Sequence, residues 1–68
     1  MTNTKLLEEH IDKSGYKRSH LAKALGITSY ALALKITNKS EFKASEIDTL
    51  SKVLDISVED RMSIFFAQ

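Results

Sequence analysis

The sequence predicts an all-α domain of five helices, and three observations lead to this fold class. Apolar residues recur at helical spacings of three and four positions, not in the alternation typical of strands. Proline is absent and glycine occurs only twice, at Gly15 and Gly26, so few strong breakers interrupt a helix. A chain of 68 residues fits a single domain, 1–68, with a modest core. The predicted helices span roughly residues 4–14, 18–25, 29–37, 44–54 and 58–66.

The first two helices are defined by apolar stripes and by the glycines that follow them. The first stripe consists of Leu6, Leu7, His10, Ile11 and Ser14. Gly15 stands just beyond it, where a left-handed cap favours glycine. The second helix turns Leu21, Ala22 and Leu25 inward, and Gly26 is expected to end it.

The last three helices are defined mainly by capping residues. Thr28 precedes the third helix and Ser57 the fifth, and each hydroxyl can accept a hydrogen bond from an exposed N–H group of the first turn. Residues 37–40 are typical of a loop, after which Phe42 is expected to anchor the chain on the core. The fourth helix presents Ile47, Leu50 and Leu54 on one face.

Composition argues against several classes of protein. Cysteine is absent, so neither a disulfide nor a thiolate zinc site can form. His10 and His20 lack the i, i+4 ligand spacing, and we expect no metal and no cofactor. His10 should be a partly buried structural residue and His20 an exposed one. No nucleophile–base spacing or glycine-rich phosphate loop occurs, so an enzyme is not expected.

The expected location is the cytoplasm, because the chain lacks the features that direct proteins elsewhere. No apolar run approaches the roughly 18–20 residues of a transmembrane helix. The first nine residues, MTNTKLLEE, are charged and lack the apolar core of a signal peptide. Neither a membrane nor a small-molecule ligand is therefore among the expected partners.

Charge is distributed unevenly along the chain. Between Lys13 and Lys43 the only acidic residue is Glu41, and this segment carries +6, whereas the rest carries −5 and the whole chain +1. The seven basic residues of the segment are Lys13, Lys17, Arg18, Lys23, Lys35, Lys39 and Lys43. This distribution suits a protein with one face toward a polyanion, although solvated surface lysines would give the same pattern.

The most informative pattern links the second and third helices. It consists of Leu21, Ala22, Leu25, Gly26, Ile27 and Leu32. A small residue at Ala22 allows two helices to approach closely, and Gly26 permits the left-handed backbone of a short turn. Ile27 and Leu32 fill the inside of the angle between the helices. Such a turn leaves the third helix projecting from the surface, where it can enter a major groove about 12 Å wide.

These residues carry a resemblance to a known family. GYKRSHLAKALGITS, residues 15–29, resembles the first half of a lambda-repressor/Cro-type helix-turn-helix domain, and KVLDIS, residues 52–57, resembles the link between its last two helices. The segment from Phe42 to Phe66 is similar to small phage and prophage Cro-like regulators of Gram-positive bacteria. The resemblance implies a sequence-specific DNA-binding transcriptional regulator, such as a repressor, with its third helix in the major groove of double-stranded DNA.

The resemblance also implies roles for individual residues. Those expected to face base edges are Ser29, Tyr30, Ala33 and Leu34, and those expected to contact the DNA backbone are Lys17, Arg18, Lys35, Thr37, Lys39 and Ser40. Lys35 could instead be a solvated lysine that bridges two helices. The base-reading set lacks an amide or guanidinium for a bidentate contact, so specificity is expected to be moderate or to rely on DNA shape and water.

Two departures from the family pattern concern how the third helix is held. Where many members pair an arginine on the first helix with a glutamate on the third, this chain has Ile11 and Ile36, which predicts an apolar contact instead. Asn38 stands where glycine is common. Asparagine tolerates a left-handed backbone, so we expect the loop to keep the conformation that glycine allows.

The end of the fifth helix is crowded with large apolar side chains. Consecutive helical residues point about 100° apart, so Ile64, Phe65 and Phe66 cannot all enter one core. A two-fold homodimer through Met62, Phe65 and Phe66, at least on DNA, is the preferred explanation. The alternative is a tail folded over a small core, or one exposed aromatic residue.

One rival function remains open. The apolar segment from Tyr30 to Leu34 and the near-neutral total charge would also suit a protein–protein interaction module on a helix-turn-helix scaffold, as in an antirepressor, without DNA binding.

Overall fold

The computed structural model describes residues 1–68 and consists of five α-helices with no strand. In chain order they are α1 (Thr4–Ser14), α2 (Arg18–Leu25), α3 (Ser29–Ile36), α4 (Ala44–Val53) and α5 (Val58–Phe65). The all-α, five-helix prediction is therefore confirmed. The last three helices end one residue earlier than predicted, because Thr37, Leu54 and Phe66 are C-caps, which are only half within a helix.

Local sequence signals set the helix ends. Gly15 and Gly26 adopt left-handed backbone conformations, with φ of 75° and 72°, as predicted for residues that end α1 and α2. The hydroxyls of Thr28 and Ser57 accept hydrogen bonds from the Ala31 and Asp60 N–H groups, which confirms both predicted N-caps. A third cap was not predicted: the side chain of Asn3 accepts from the Leu6 N–H group.

The core joins all five helices. Its buried apolar residues are Leu7, Ile11, Leu21, Ala22, Leu32, Ile36, Leu50, Leu54, Ile56, Ile64 and Phe65. Helix α2 packs on α3 and α4, while α1 packs on α3 and α5. Ile11 and Ile36 are both buried in this one cluster, so apolar residues occupy the two positions where the family pattern has a charge pair. Helix α3 is consequently held from its inner side by α1 and α2.

Phe42 anchors the segment between α3 and α4 as predicted. Its ring packs edge-on against Phe65 of α5, with ring centroids 5.4 Å apart. Aromatic pairs favour this arrangement because the positive ring edge meets the negative ring face. The α3–α4 connection is thus attached to the last helix as well as to its own neighbours.

The two ends of the chain lie beside each other. The Asn3 N–H group donates to the Ile64 carbonyl over 2.6 Å, and the Ala67 N–H group donates to the Met1 carbonyl over 3.0 Å. These bonds place the segment before α1 along the end of α5. None of the helices combines the length and apolar character required to cross a membrane.

Candidate nucleic-acid interface

The turn between α2 and α3 sets the direction of α3. At the end of α2, the Gly26 N–H group bonds the Lys23 carbonyl and the Ile27 N–H group bonds the Ala22 carbonyl. These bonds satisfy carbonyl groups that have no partner within the helix. Two residues later, the Thr28 hydroxyl accepts from the Ala31 N–H group over 3.0 Å and starts α3. The turn is therefore short and hydrogen-bonded at both ends.

The inner face of this helix pair is apolar. Leu21, Ala22 and Leu32 are buried, as the sequence predicts, while Leu25 and Ile27 are partly buried against the same core. Packing on this side fixes α3 against α2, so its opposite side is directed away from the core.

The outer face of α3 is open to solvent. Ser29, Tyr30 and Ala33 are exposed, with Tyr30 at 75% of its full accessible area, and Leu34 is half-buried. Three of the four predicted base-reading residues are therefore exposed, and Leu34 is only partly so. The two hydroxyls can donate and accept hydrogen bonds, and the Ala33 methyl offers an apolar contact of the size of a thymine methyl.

Basic residues open α2. Lys17 is its N-cap and Arg18 its first residue; both are exposed, and no side chain caps the helix. Two positive charges therefore lie at the positive end of the α2 dipole, which favours an anion there. The Arg18 guanidinium lies 3.0 Å from the Glu8 carboxylate of α1. Because both side chains are exposed, this ion pair contributes little to stability and can exchange for another anion.

The loop after α3 contributes a second edge of the surface. Thr37, Lys39 and Ser40 are exposed, and the Lys39 and Ser40 N–H groups both donate to the Leu34 carbonyl. The Thr37 hydroxyl donates to the Ala33 carbonyl over 2.8 Å. The loop is thus folded back on the last turn of α3, and Lys39 extends from it with no ion-pair partner.

Lys35 does not lie exposed on this surface, as its predicted contact with the DNA backbone would require. Its Nζ atom lies 2.7 Å from the Glu46 carboxylate and donates to the Glu41 carbonyl over 3.1 Å. The Lys35 and Glu46 side chains are only 11% and 8% exposed. The alternative prediction, a lysine that bridges two helices, describes Lys35 better, although the bridge between α3 and α4 is buried and not solvated.

The electrostatics of Glu46 follow from this bridge. Burial of the carboxyl acts to raise its pKa. This effect is outweighed by the hydrogen bond from Lys35, a backbone hydrogen bond from the Lys43 N–H group and the charges of both lysines. The pKa of Glu46 therefore lies below its ordinary value of 4.5. The carboxylate accepts both hydrogen bonds through one oxygen, Oε1, each over 2.7 Å. It therefore joins the end of α3 to the start of α4.

The structure adds contacts that sequence reasoning missed. Tyr16 and His20 stack with ring centroids 4.9 Å apart near the start of α2, at the i, i+4 spacing that could have suggested the pair. His20 is exposed, as predicted. His10 is partly buried, also as predicted, and lies 3.9 Å from Asp60 of α5. Glu8 and Glu46 each face a basic residue far away in sequence, and no local pattern indicates either pairing.

The predicted dimer surface requires one correction. Ile64 and Phe65 are buried, whereas Met62 and Phe66 are 59% and 53% exposed, so Phe65 does not belong to an accessible surface. It turns toward Phe42, and this contact takes it into the core. The exposed apolar residues instead include Val58, which is 73% exposed. With Met62 and Phe66 it forms an i, i+4, i+8 stripe, defined here as the α5 stripe.

Comparison with known proteins gives one match. A family model described as "Protein of unknown function (DUF739)" matches residues 2–68. No curated protein and no solved structure gives a significant match to the chain.

Proposed function

The chain belongs to the DUF739 family, and we propose that it is a sequence-specific double-stranded DNA-binding protein of the lambda-repressor/Cro type that regulates transcription. In this proposal α3 enters the major groove. Ser29, Tyr30, Ala33 and Leu34 face base edges, and Lys17, Arg18, Thr37, Lys39 and Ser40 contact the phosphate backbone.

The single observation that carries the proposal is the orientation of α3. Its Leu32 side is buried against the core, while Tyr30 on the other side is 75% exposed. This arrangement supports the proposal because a helix that reads the major groove must present one side outward while its other side packs on the domain. The α2 start and the α3–α4 loop supply exposed basic residues at either end of the pair, where backbone contacts would fix the register.

The rival module is favoured by one specific observation. Two basic residues from the predicted DNA surface, Arg18 and Lys35, are already paired with carboxylates, and the face of α3 carries an exposed tyrosine and an alanine. Such a face would also suit a protein partner. We favour DNA because the Arg18 pair is exposed and exchangeable, and Lys17 and Lys39 remain without an ion-pair partner.

A binding titration at two salt concentrations tests the proposal. The probe is a fluorescent duplex from the region upstream of the gene for this chain, with a scrambled duplex of equal composition as the control. We expect a specific complex whose affinity falls steeply as salt rises, because phosphate neutralisation releases counterions. If neither duplex bound at low salt, DNA binding would be contradicted and the protein-binding module would be favoured.

Two variants separate backbone contacts from base contacts. Arg18→Ala should weaken binding to both duplexes alike and lower the slope of log affinity against log salt by about one. Tyr30→Ala should change the preference between duplexes, and Tyr30→Phe shows whether the hydroxyl is responsible. Lys52→Ala, which removes a positive charge from α4 outside the basic segment, is the matched control. Equal losses on every sequence for Arg18→Ala and Tyr30→Ala would remove the base-reading role of Tyr30.

We also propose that two copies of the chain pair through the α5 stripe, at least on DNA. Three exposed apolar side chains along one side of one helix leave an apolar patch that a two-fold interface would cover. We expect Met62→Ser and Phe66→Ser each to shift the sedimenting mass of the complex with the duplex toward one copy of the chain per duplex. Lys52→Ala serves as the control. An unchanged mass for both serine variants would exclude this stripe as the interface.

A further inference from the structure

The side-chain amide of Asn38 bonds the backbone of Thr2 on both of its polar groups. The Thr2 N–H group donates to Oδ1 over 2.8 Å, and Nδ2 donates to the Thr2 carbonyl over 2.8 Å. The two residues are 36 positions apart. The side-chain amide thus pairs with both backbone polar groups of Thr2, as a residue of a neighbouring β-strand would. Among the side chains, only asparagine and glutamine offer an amide donor and acceptor together.

A third hydrogen bond joins the same two parts of the chain. The Thr4 hydroxyl donates to the carbonyl of Ile36, the last residue of α3, over 2.6 Å. Carbonyl groups in the last turn of a helix lack an intrahelical partner, so this bond caps the end of α3 from outside. We call these three hydrogen bonds, Thr2–Asn38 twice and Thr4–Ile36 once, the amino-terminal clasp.

The amino-terminal side of the clasp is itself attached to α5. Thr2 is buried, and the next residue, Asn3, donates its N–H group to the Ile64 carbonyl of α5. Asn38 itself has a left-handed backbone, with φ of 66°. It is followed directly by Lys39 and Ser40, whose N–H groups fold back on α3. The loop that carries these two residues is therefore attached, through one side chain, to α5 as well as to α3.

We propose that Asn38 is a positioning residue for DNA binding: through the amino-terminal clasp it holds the loop so that Lys39 and Ser40 meet the DNA backbone. This inference rests on the proposed function. Glycine at the same position would supply the left-handed backbone but not the two side-chain hydrogen bonds. The conformational tolerance of asparagine is therefore only part of its role, and its amide provides the rest.

Two substitutions at this position separate the backbone from the amide. Asn38→Gly keeps the left-handed conformation accessible and removes both bonds to Thr2. Asn38→Asp keeps an acceptor for the Thr2 N–H group but replaces the donor to the Thr2 carbonyl with an acceptor. Ser57→Ala, which removes the N-cap hydrogen bond of α5, is a control for general destabilisation.

Amide hydrogen exchange tests the clasp without any ligand. We expect the Lys39 and Ser40 amides to exchange about tenfold faster in Asn38→Gly than in the wild type, as expected for the loss of two hydrogen bonds. The Asn38→Asp variant should show a smaller increase at Lys39 and Ser40. The same acceleration in Ser57→Ala would mean that exchange reports global unfolding, and would overturn the local role of Asn38.

DNA binding tests the positioning role. Asn38→Gly should lower affinity for specific and scrambled duplexes by similar factors, and should reduce the slope of log affinity against log salt by about one, since one backbone contact is lost. A general loss of stability, as in Ser57→Ala, would not change that slope. A slope equal to that of the wild type would overturn the positioning role. A wild type that binds no duplex would overturn the proposed function and this role with it, while hydrogen exchange would still decide whether the clasp orders the loop.

Discussion

Replacing Lys35 with methionine is expected to lower the free energy of unfolding by about 3 kcal/mol. The lysine Nζ lies 2.7 Å from the Glu46 carboxylate, and both side chains are almost fully buried. Methionine preserves most of the volume but leaves a carboxylate in a site with little access to water. The penalty arises from the charge left without its partner, not from a lost contact alone.

A double-mutant cycle isolates the pair. Glu46→Gln should also destabilise the fold, because it leaves the lysine charge buried. The double variant Lys35→Met/Glu46→Gln should lose less than the sum of the two single variants, since neither charge remains. Lys52→Ala removes one partner of an exposed i, i+4 pair with Asp48 and should cost at most about 0.5 kcal/mol. Denaturant unfolding followed by circular dichroism measures all four variants. Additive losses would contradict a coupled pair.

The effect of Lys35→Met should depend on pH in a defined direction. The pKa of Glu46 in the folded protein lies below its ordinary value of 4.5. A carboxyl with a lowered pKa contributes stability above its unfolded pKa, and this contribution is lost as pH falls through the folded pKa. The difference in unfolding free energy between wild type and Lys35→Met should therefore be largest near pH 7 and should shrink below about pH 4. A difference that stays constant across that range would contradict the assignment.

The helices and their caps could be predicted from the sequence because their causes are local. Thr28 and Ser57 bond N–H groups three residues away, and Gly26 adopts a conformation that its own lack of a Cβ allows. The inward faces followed from the spacing of apolar residues along single helices. Once the buried side of α3 is known, the opposite side can be predicted to be exposed.

The errors concern residues whose environment is set by distant parts of the chain. Lys35 is drawn inward by Glu46, eleven positions away, and one helix period cannot distinguish a solvated lysine from a bridging one. The two hydrogen bonds between Asn38 and Thr2, 36 positions apart, likewise have no local sequence signal. Periodicity places a residue on a face of its helix, but the partner opposite that face is decided by packing.

Replacing Phe65 with alanine is expected to destabilise the fold by about 3–4 kcal/mol, the range for removing a large buried aromatic side chain. Phe65 is 4% exposed and lies edge-on to Phe42, so the substitution leaves a cavity and removes that aromatic contact. A domain of this size has a total stability of roughly 3–10 kcal/mol. Removing about 3–4 kcal/mol from this total should lower the melting temperature by at least about 10 °C.

The adjacent residue provides a matched control, since Phe66→Ala removes the same side chain one position along the chain. Phe66 is 53% exposed, so its loss should change the unfolding free energy by less than about 1 kcal/mol. Thermal unfolding followed by circular dichroism, with the wild type and both variants at the same series of protein concentrations, compares them directly. Phe65→Leu, which refills most of the cavity, should recover much of the loss. Equal destabilisation by the two alanine variants would contradict the burial of Phe65.

A large effect from Phe66→Ala that grows with protein concentration would instead mark the α5 stripe as part of an interface, because association stabilises the folded state by mass action.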